Sequence, residues 1–273
     1  MARLSDLPPS GQDVSISKTD LTDRVAVVTG GGRGMGRAIA GALLDSGASV
    51  FVAARTQRDL DETKALLGQV EVFSCDVSDP KRVAALFAAV DERFGRLDVL
   101  VCSHGIYPGT RPAVEIPLAE YERTVAVNFT GTFLCAQHAA RAMLAAGNGG
   151  SIVAISSMNG LSSQYGAADY DASKAAVHGL VRAFAVELGS ADIAVNAIAP
   201  GWIRTAMSEE ELEELEGMTL NPTGRVGEPD DIARAALWLA DPRNRFVTGS
   251  VFVIDGGQTA MLPLPWHAET AAA

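Results

Sequence analysis

The chain predicts an α/β fold: a doubly wound, mostly parallel seven-stranded sheet with helices on both faces, built as a single domain. Three observations predict it. Short apolar runs of strand length alternate with helical stretches from residue 24 to about 256. The first of these runs ends in glycines, the pattern of a parallel strand buried on both faces. No linker interrupts the alternation, and strand–helix repetition of this kind places crossover helices over the two faces of one sheet.

The elements follow in order. Arg24–Thr29 is the first strand, and Met35–Ser46 the first helix, with Ile39, Leu43 and Leu44 on one face and Gly47 as its stop. Ser49–Ala54, Val70–Cys75 and Leu97–Cys102 are the second, third and fourth strands, and Lys81–Phe94 a helix before the last of them. Tyr121–Ala146 reads as a long helix, Ser151–Ser156 as the fifth strand and Tyr170–Leu188 as a second long helix. Ala194–Ile198, the helix Asp230–Leu239 and the strand Ser250–Ile254 complete the set. Three parts fall outside this rhythm. Residues 1–23 are polar, carry Pro8-Pro9 and are expected to be a flexible extension of a 24–260 domain. Residues 205–222 carry Glu209, Glu210, Glu211, Glu213, Glu214 and Glu216 and predict an acidic helix or a mobile lid. Residues 261–273 form a tail with Leu264 between Pro263 and Pro265 and Trp266 after them, suited to packing on another subunit or to fraying.

Composition narrows the function. With 273 residues, 48% of them hydrophobic, the chain can bury a sizeable core. A net charge of −11 argues against nucleic acid and anionic membranes as partners, since both call for basic patches. The three cysteines, Cys75, Cys102 and Cys135, lack metal-ligand spacing, so no metal site is expected and buried thiols in a reducing cytoplasm fit. No apolar run reaches the ~20 residues that span a bilayer, and residues 1–23 lack the pattern of a signal peptide.

The glycine turn Thr29-Gly30-Gly31-Gly32-Arg33-Gly34-Met35-Gly36 sits between the first strand and first helix. Glycines there allow positive φ and let the backbone approach a pyrophosphate at the helix N-terminus. At the end of the second strand, Ala54-Arg55 stands where a carboxylate would bind a ribose 2′-hydroxyl. A neutral residue followed by arginine suits a 2′-phosphate, with Arg33 as a second guanidinium, so NADP is expected over NAD. Asp76, before Val77 at the end of the third strand, suits an adenine amino group or the cap of the following turn.

Tyr170 and Lys174 are four residues apart on a predicted helix, so the ammonium and the phenol share a face. A free phenol has a pKa of about 10, and a nearby cation favours its ionised form. Ser157, at a strand end, lies 13 residues upstream.

Together, Thr29–Gly36, Asn128, Ser157, Tyr170-x-x-x-Lys174 and Pro200-Gly201 resemble the single-domain short-chain dehydrogenases/reductases over residues 24–257. The resemblance implies a Rossmann-type fold and a carbonyl/secondary-alcohol oxidoreductase. In it Tyr170 exchanges the proton and Lys174 holds the nicotinamide ribose and lowers the phenol's pKa. Ser157 orients the reacting oxygen, and Asn128 holds a relay water. It also implies a cofactor set of Gly30, Arg33, Gly34, Met35, Gly36, Arg55, Asp76, Val77, Ser103, Gly105, Tyr170, Lys174, Pro200, Gly201, Ile203 and Thr205. Candidate substrate-pocket residues are His104, Tyr107, Met158, Asn159, Gln164, Tyr165, Trp202 and Met207. Of the neighbours, Ser156 should face away from Ser157's side, since successive strand side chains alternate. The family's usual Asn-Asn-Ala-Gly is here Cys102-Ser103-His104-Gly105, so a side chain that ties strands together is lost, and His104 is either a pocket group or a packed imidazole.

A homotetramer or homodimer packing the two long helices is implied by the same resemblance. Alternatives are an NAD-dependent sugar or polyol dehydrogenase of the same family, an epimerase or dehydratase, and a non-catalytic NADP-binding sensor. A methyltransferase would leave Ser157, Tyr170 and Lys174 unexplained. The acidic 209–216 stretch would repel an acidic carrier protein, which favours a free small substrate.

Overall fold

The structure, a computed structural model, describes residues 18–215, 218 and 220–261. Seven parallel strands form one sheet in the order β3-β2-β1-β4-β5-β6-β7. They are β1 (Val25–Thr29), β2 (Ser49–Ala54), β3 (Val70–Ser74), β4 (Val99–Cys102), β5 (Gly150–Ile155), β6 (Ile193–Pro200) and β7 (Val251–Ile254). The helices are α1 (Gly34–Asp45), α2 (Gln57–Leu67), α3 (Pro80–Phe94), α4 (Leu118–Val125), α5 (Gly131–Ala146), α6 (Ala168–Leu188), α7 (Glu209–Glu214) and α8 (Pro229–Ala240). Strand order reverses between β1 and β4, which opens a crevice at the carboxyl ends of the strands.

Alternate residues of each strand feed two apolar layers. Val25 and Val27 of β1 join Val83 and Leu86 of α3, Cys135 and Ala139 of α5 and Val177 of α6. Ala26 and Val28 face the other way and pack with Ile39 and Leu43 of α1, Leu60 of α2 and Ile232 of α8. Both layers are needed because parallel strands present an apolar side chain to each face. At the opposite edge of the sheet from the crevice, buried Asp98 accepts from Val25 N at 3.0 Å, Arg24 Nη1 at 2.9 Å and Arg96 Nη2 at 2.7 Å, tying β1 to the start of β4.

Two expectations change. Packing starts before Arg24: Leu21 is fully buried in the second layer, its N–H donates to Ser46 O at 2.7 Å, and Thr19 Oγ1 reaches Asp241 at 3.0 Å. The rest of the expected N-terminal extension and nearly all of the 261–273 tail lie outside the described residues. The expected helix 121–146 is helical throughout but widens to a π-type turn at Ala126–Thr130, between α4 and α5. Such π-type turns displace one residue out of the helical ladder. Here that turn holds Asn128, and the Thr132 hydroxyl donates to the Asn128 carbonyl at 2.8 Å. The acidic stretch forms the short helix α7, with residues 216, 217 and 219 outside the description.

Candidate active site

The turn from β1 into α1 is shaped by its glycines. Gly30 has φ +70°, and a Cβ there would lie 2.6 Å from the Ser103 carbonyl. At Gly36 a Cβ would come within 2.3 Å of Gly30 O, so helix and turn meet backbone to backbone. The first turn of α1 has no acidic residue. Free N–H groups at that end therefore present an uncompensated positive potential.

A cleft runs from this turn across the ends of β1, β2, β3 and β4. It is lined by Gly30, Gly32, Arg33, Ala54, Arg55, Thr56, Asp59, Asp76, Val77, Ser103, His104 and Gly105. Neither Arg33 nor Arg55 forms a salt bridge among the described residues. The buried Ser103 hydroxyl has no hydrogen-bond partner there. One oxygen of Asp76 accepts from Ser78 N at 3.0 Å and Ser78 Oγ at 2.6 Å, so the capping role expected for it is filled while the residue still lines the cleft. These hydrogen bonds hold its carboxyl below the usual range against the opposing effect of burial.

A second cavity adjoins the first at Met207, which lines both. Its walls are Met35, Tyr107, Ser157, Met158, Asn159, Gln164, Tyr170, Pro200, Gly201, Trp202, Ile203, Thr205 and Ser208. None of these is a charged residue.

Tyr170 and Lys174 face this region from one side of α6. Tyr170 and Ser157 line this cavity together, and the Tyr170 ring meets Tyr107 edge-on with centroids 5.3 Å apart. Ser157 precedes a short helical turn at Met158–Gly160, and its Oγ accepts from Asn159 N at 3.1 Å. Lys174 is buried; its Nζ donates to Ile155 O at 3.1 Å. A Cβ at Gly105 would lie 3.2 Å from that Nζ and 3.5 Å from Asn128 Oδ1, so the two groups flank one spot. Asn128 is held by Ile106, accepting from its N–H at 2.8 Å and donating to its carbonyl at 3.0 Å. Its Nδ2 also reaches Ser173 Oγ at 3.1 Å.

Three sequence expectations are corrected here. The phenol is not made more acidic: burial pushes the Tyr170 pKa up to about 12, and the Ser157 hydroxyl only partly offsets this. Burial likewise brings Lys174 down to about 8. Spacing placed ammonium and phenol on one face, but desolvation, which dominates here, depends on the surrounding elements. His104 does not line the second cavity. Its Nδ1 lies 2.6 Å from Thr29 Oγ1 and its Nε2 3.3 Å from Thr132 Oγ1, making it a packed imidazole at the edge of the first cleft. It thus links β1 to α5 where the family's asparagine is missing. Tyr165 is highly exposed and lines a lateral groove with Val114, Leu161 and Ala175 instead.

The Ser156 hydroxyl sits 2.5 Å from His178 Nε2, although Ser156 borders the second cavity beside Ser157. The expectation for the cysteines is met: all three are buried free thiols. Spacing did not reveal that Cys102, His104 and Cys135 have donor atoms within 4.8 Å of one another. Contact with Cys102, then burial, pushes the Cys135 thiol well up. Also missed were Ser173, which donates to Tyr170 O at 2.7 Å, and Asp171, bound to Asn159 and Gln164. Ser173 stands at helical spacing from Tyr170, a signal that was available; Asp171 offered none.

Residues 30–259 match the family described as Enoyl-(Acyl carrier protein) reductase. A 2,5-dichloro-2,5-cyclohexadiene-1,4-diol dehydrogenase of Sphingobium indicum is 36% identical over 249 residues, covering 89% of this chain and 100% of that protein. A cis-4-hydroxycyclohexanecarboxylate dehydrogenase of Sinomonas cyclohexanicum is 37% identical over 244 residues, covering 88% and 98%. The crystal structure of levodione reductase superposes with a TM-score of 0.85 at 34% identity, covering 89% of this chain and 100% of that one. The chain belongs to the short-chain dehydrogenase/reductase family. It is an oxidoreductase of alcohols and carbonyls whose homologues use a nicotinamide cofactor. Among the described residues no helix is long and apolar enough to cross a membrane.

Proposed function

We propose that the protein interconverts a neutral alicyclic ketone and its secondary alcohol with NADP(H), Tyr170 serving as general acid and base. The carrying observation is that Tyr170 and Ser157 line one uncharged cavity, which adjoins the glycine-turn cleft at Met207.

The residues of the cleft fit the dinucleotide. The cradle at Gly30 would be filled by any Cβ, the Ser103 hydroxyl is an orphan, and the start of α1 carries no competing carboxylate. Arg33 and Arg55, free of salt bridges among the described residues, support a 2′-phosphate. The Asp59 carboxylate in the same cleft is the one observation that favours NAD. When bound, the cofactor supplies or accepts the hydride. Asp76, Val77 and Gly105 of this cleft, with Met35, Pro200, Gly201, Ile203 and Thr205 of the adjoining cavity and the turn residues Gly34 and Gly36, would hold it.

The chain's own groups manage the proton. With its pKa raised, Tyr170 is a neutral donor at pH 7, suited to protonating the oxygen of a ketone undergoing reduction. Ser157 accepts from Asn159 N, which leaves its own proton to hold the substrate oxygen. Lys174 would hold the ribose, and with Asn128 it flanks the spot beside Gly105 where a relay water would fit. Tyr107, Met158, Trp202 and Met207 contribute apolar walls, with Asn159 and Gln164 for a second oxygen. A cavity without charged walls gives a carboxylate, phosphate or coenzyme A thioester no counter-ion.

Steady NADPH oxidation with a panel of cyclohexanones and cyclohexanediones tests the reading. Turnover of neutral rings well above that of 3-oxoacyl thioesters is the expected result; equal or reversed preference would sink the substrate class. Exposed Leu144 and Val186 on α5 and α6 support assembly through the long helices, checked by light scattering. Three buried free thiols support a reducing cytoplasm.

A further inference from the structure

Asp171 follows Tyr170 in α6 and, although buried, its carboxylate forms no salt bridge among the described residues. Its Oδ1 accepts from Asn159 Nδ2 at 2.8 Å, and its Oδ2 accepts from the main-chain N–H of Gln164 at 3.0 Å. The two donors stand near opposite ends of the loop 158–164, which contributes Met158, Asn159 and Gln164 to the cavity wall. The loop's other hydrogen bonds are local: Gly160 N to Ser157 O, and Leu161 N and Ser162 N to Met158 O. Through Asn159, whose N–H donates to Ser157 Oγ at 3.1 Å, the same carboxylate reaches the group that orients the substrate oxygen. A buried anion held only by neutral N–H donors is costly, and a neutral side chain would fill the space without that cost.

We propose that Asp171 is a positioning residue that clamps the 158–164 loop onto the helix carrying Tyr170, and so decides which face of a prochiral ketone meets the phenol. This rests on the carbonyl-reducing reading above. Two hydrogen bonds to one carboxylate fix the loop at both ends relative to a single helix position. Releasing either end lets Asn159 and Gln164 move relative to Tyr170, and the substrate then docks in more than one orientation.

The test compares Asp171→Asn and Asp171→Ser with the native enzyme and with Asp169→Asn. Asp169 is a buried carboxylate of the same helix that accepts from Thr124 Oγ1 at 2.7 Å, away from the loop. Asp171→Asn should raise KM for a prochiral substituted cyclohexanone about tenfold, the effect of one lost charge-assisted hydrogen bond. Enantiomeric excess should fall, while kcat stays within about threefold because no reacting group is removed. Amide exchange across 158–164 should quicken. Asp171→Ser, which leaves neither a buried charge nor a misdirected amide, carries the same expectation if the Asn variant folds poorly. Asp169→Asn should lower Tm and leave selectivity native.

Native KM, selectivity and loop exchange in both Asp171 variants would overturn the clamp. So would a loss confined to kcat, which would place the residue's effect on Tyr170 instead of the pocket. If the native enzyme reduces no ketone in the panel, the carbonyl reading fails; loop exchange needs no turnover and still decides the clamp.

Discussion

The Lys174 ammonium lies 5.6 Å from the centre of the Tyr170 ring and donates to the Ile155 carbonyl, not to the phenol. Burial pushes the phenol's pKa up to about 12, with the Ser157 hydroxyl opposing. Ketone reduction needs the protonated phenol and should be flat in kcat/KM from pH 6 to 8. Alcohol oxidation needs the ionised form and should climb throughout the alkaline range. Initial rates in both directions across pH check this; an oxidation plateau below pH 8 would contradict it.

Tyr170→Phe removes the proton and leaves the ring in place. Turnover should fall by roughly 10²–10⁴-fold, the usual worth of a positioned acid. NADPH affinity, measured by fluorescence titration, should stay near native. Retained turnover would show that another group carries the proton.

Arg55→Asp replaces a guanidinium of the glycine-turn cleft with a carboxylate beside Asp59 and Asp76. The NADP/NAD ratio of kcat/KM should drop by about tenfold or more, as expected for losing a charge-assisted contact and adding repulsion. An unchanged ratio would show that Arg55 does not read the 2′-phosphate.

His104→Ala removes the ring between Thr29 and Thr132 and leaves a small void. Stability to urea should fall by about 2–4 kcal/mol from the lost packing and hydrogen bonds. The variant should also respond less to acid. Burial brings the His104 pKa from 6.5 down to about 3, so in that window the unfolded chain binds the extra proton. Native stability is then lost as pH falls from 6.5 toward 3. Parallel slopes for native and variant would show that the imidazole is not buried in this way.

Much of the architecture was legible locally. Apolar runs such as Val25–Thr29 and Ile193–Pro200 are buried along their whole length, so they are written as runs without alternation. All seven strands were located to within two residues, and Tyr170 and Lys174 were found because helical spacing puts them on one face. The widened turn at Ala126–Thr130 was hidden, where Ile106 and Ser173 reach Asn128 from other segments.

By itself, then, the order of residues determined the parallel sheet, the glycine turn at its crevice and the pairing of Tyr170 with Lys174, all of which rest on spacings of a few residues. Tertiary structure alone decided that His104 bridges Thr29 and Thr132, that Tyr165 faces a different groove and that the phenol is harder, not easier, to ionise. The reason is desolvation and contact across distance: Thr29 and His104 are 75 residues apart, and no local pattern records what will pack against a buried polar group.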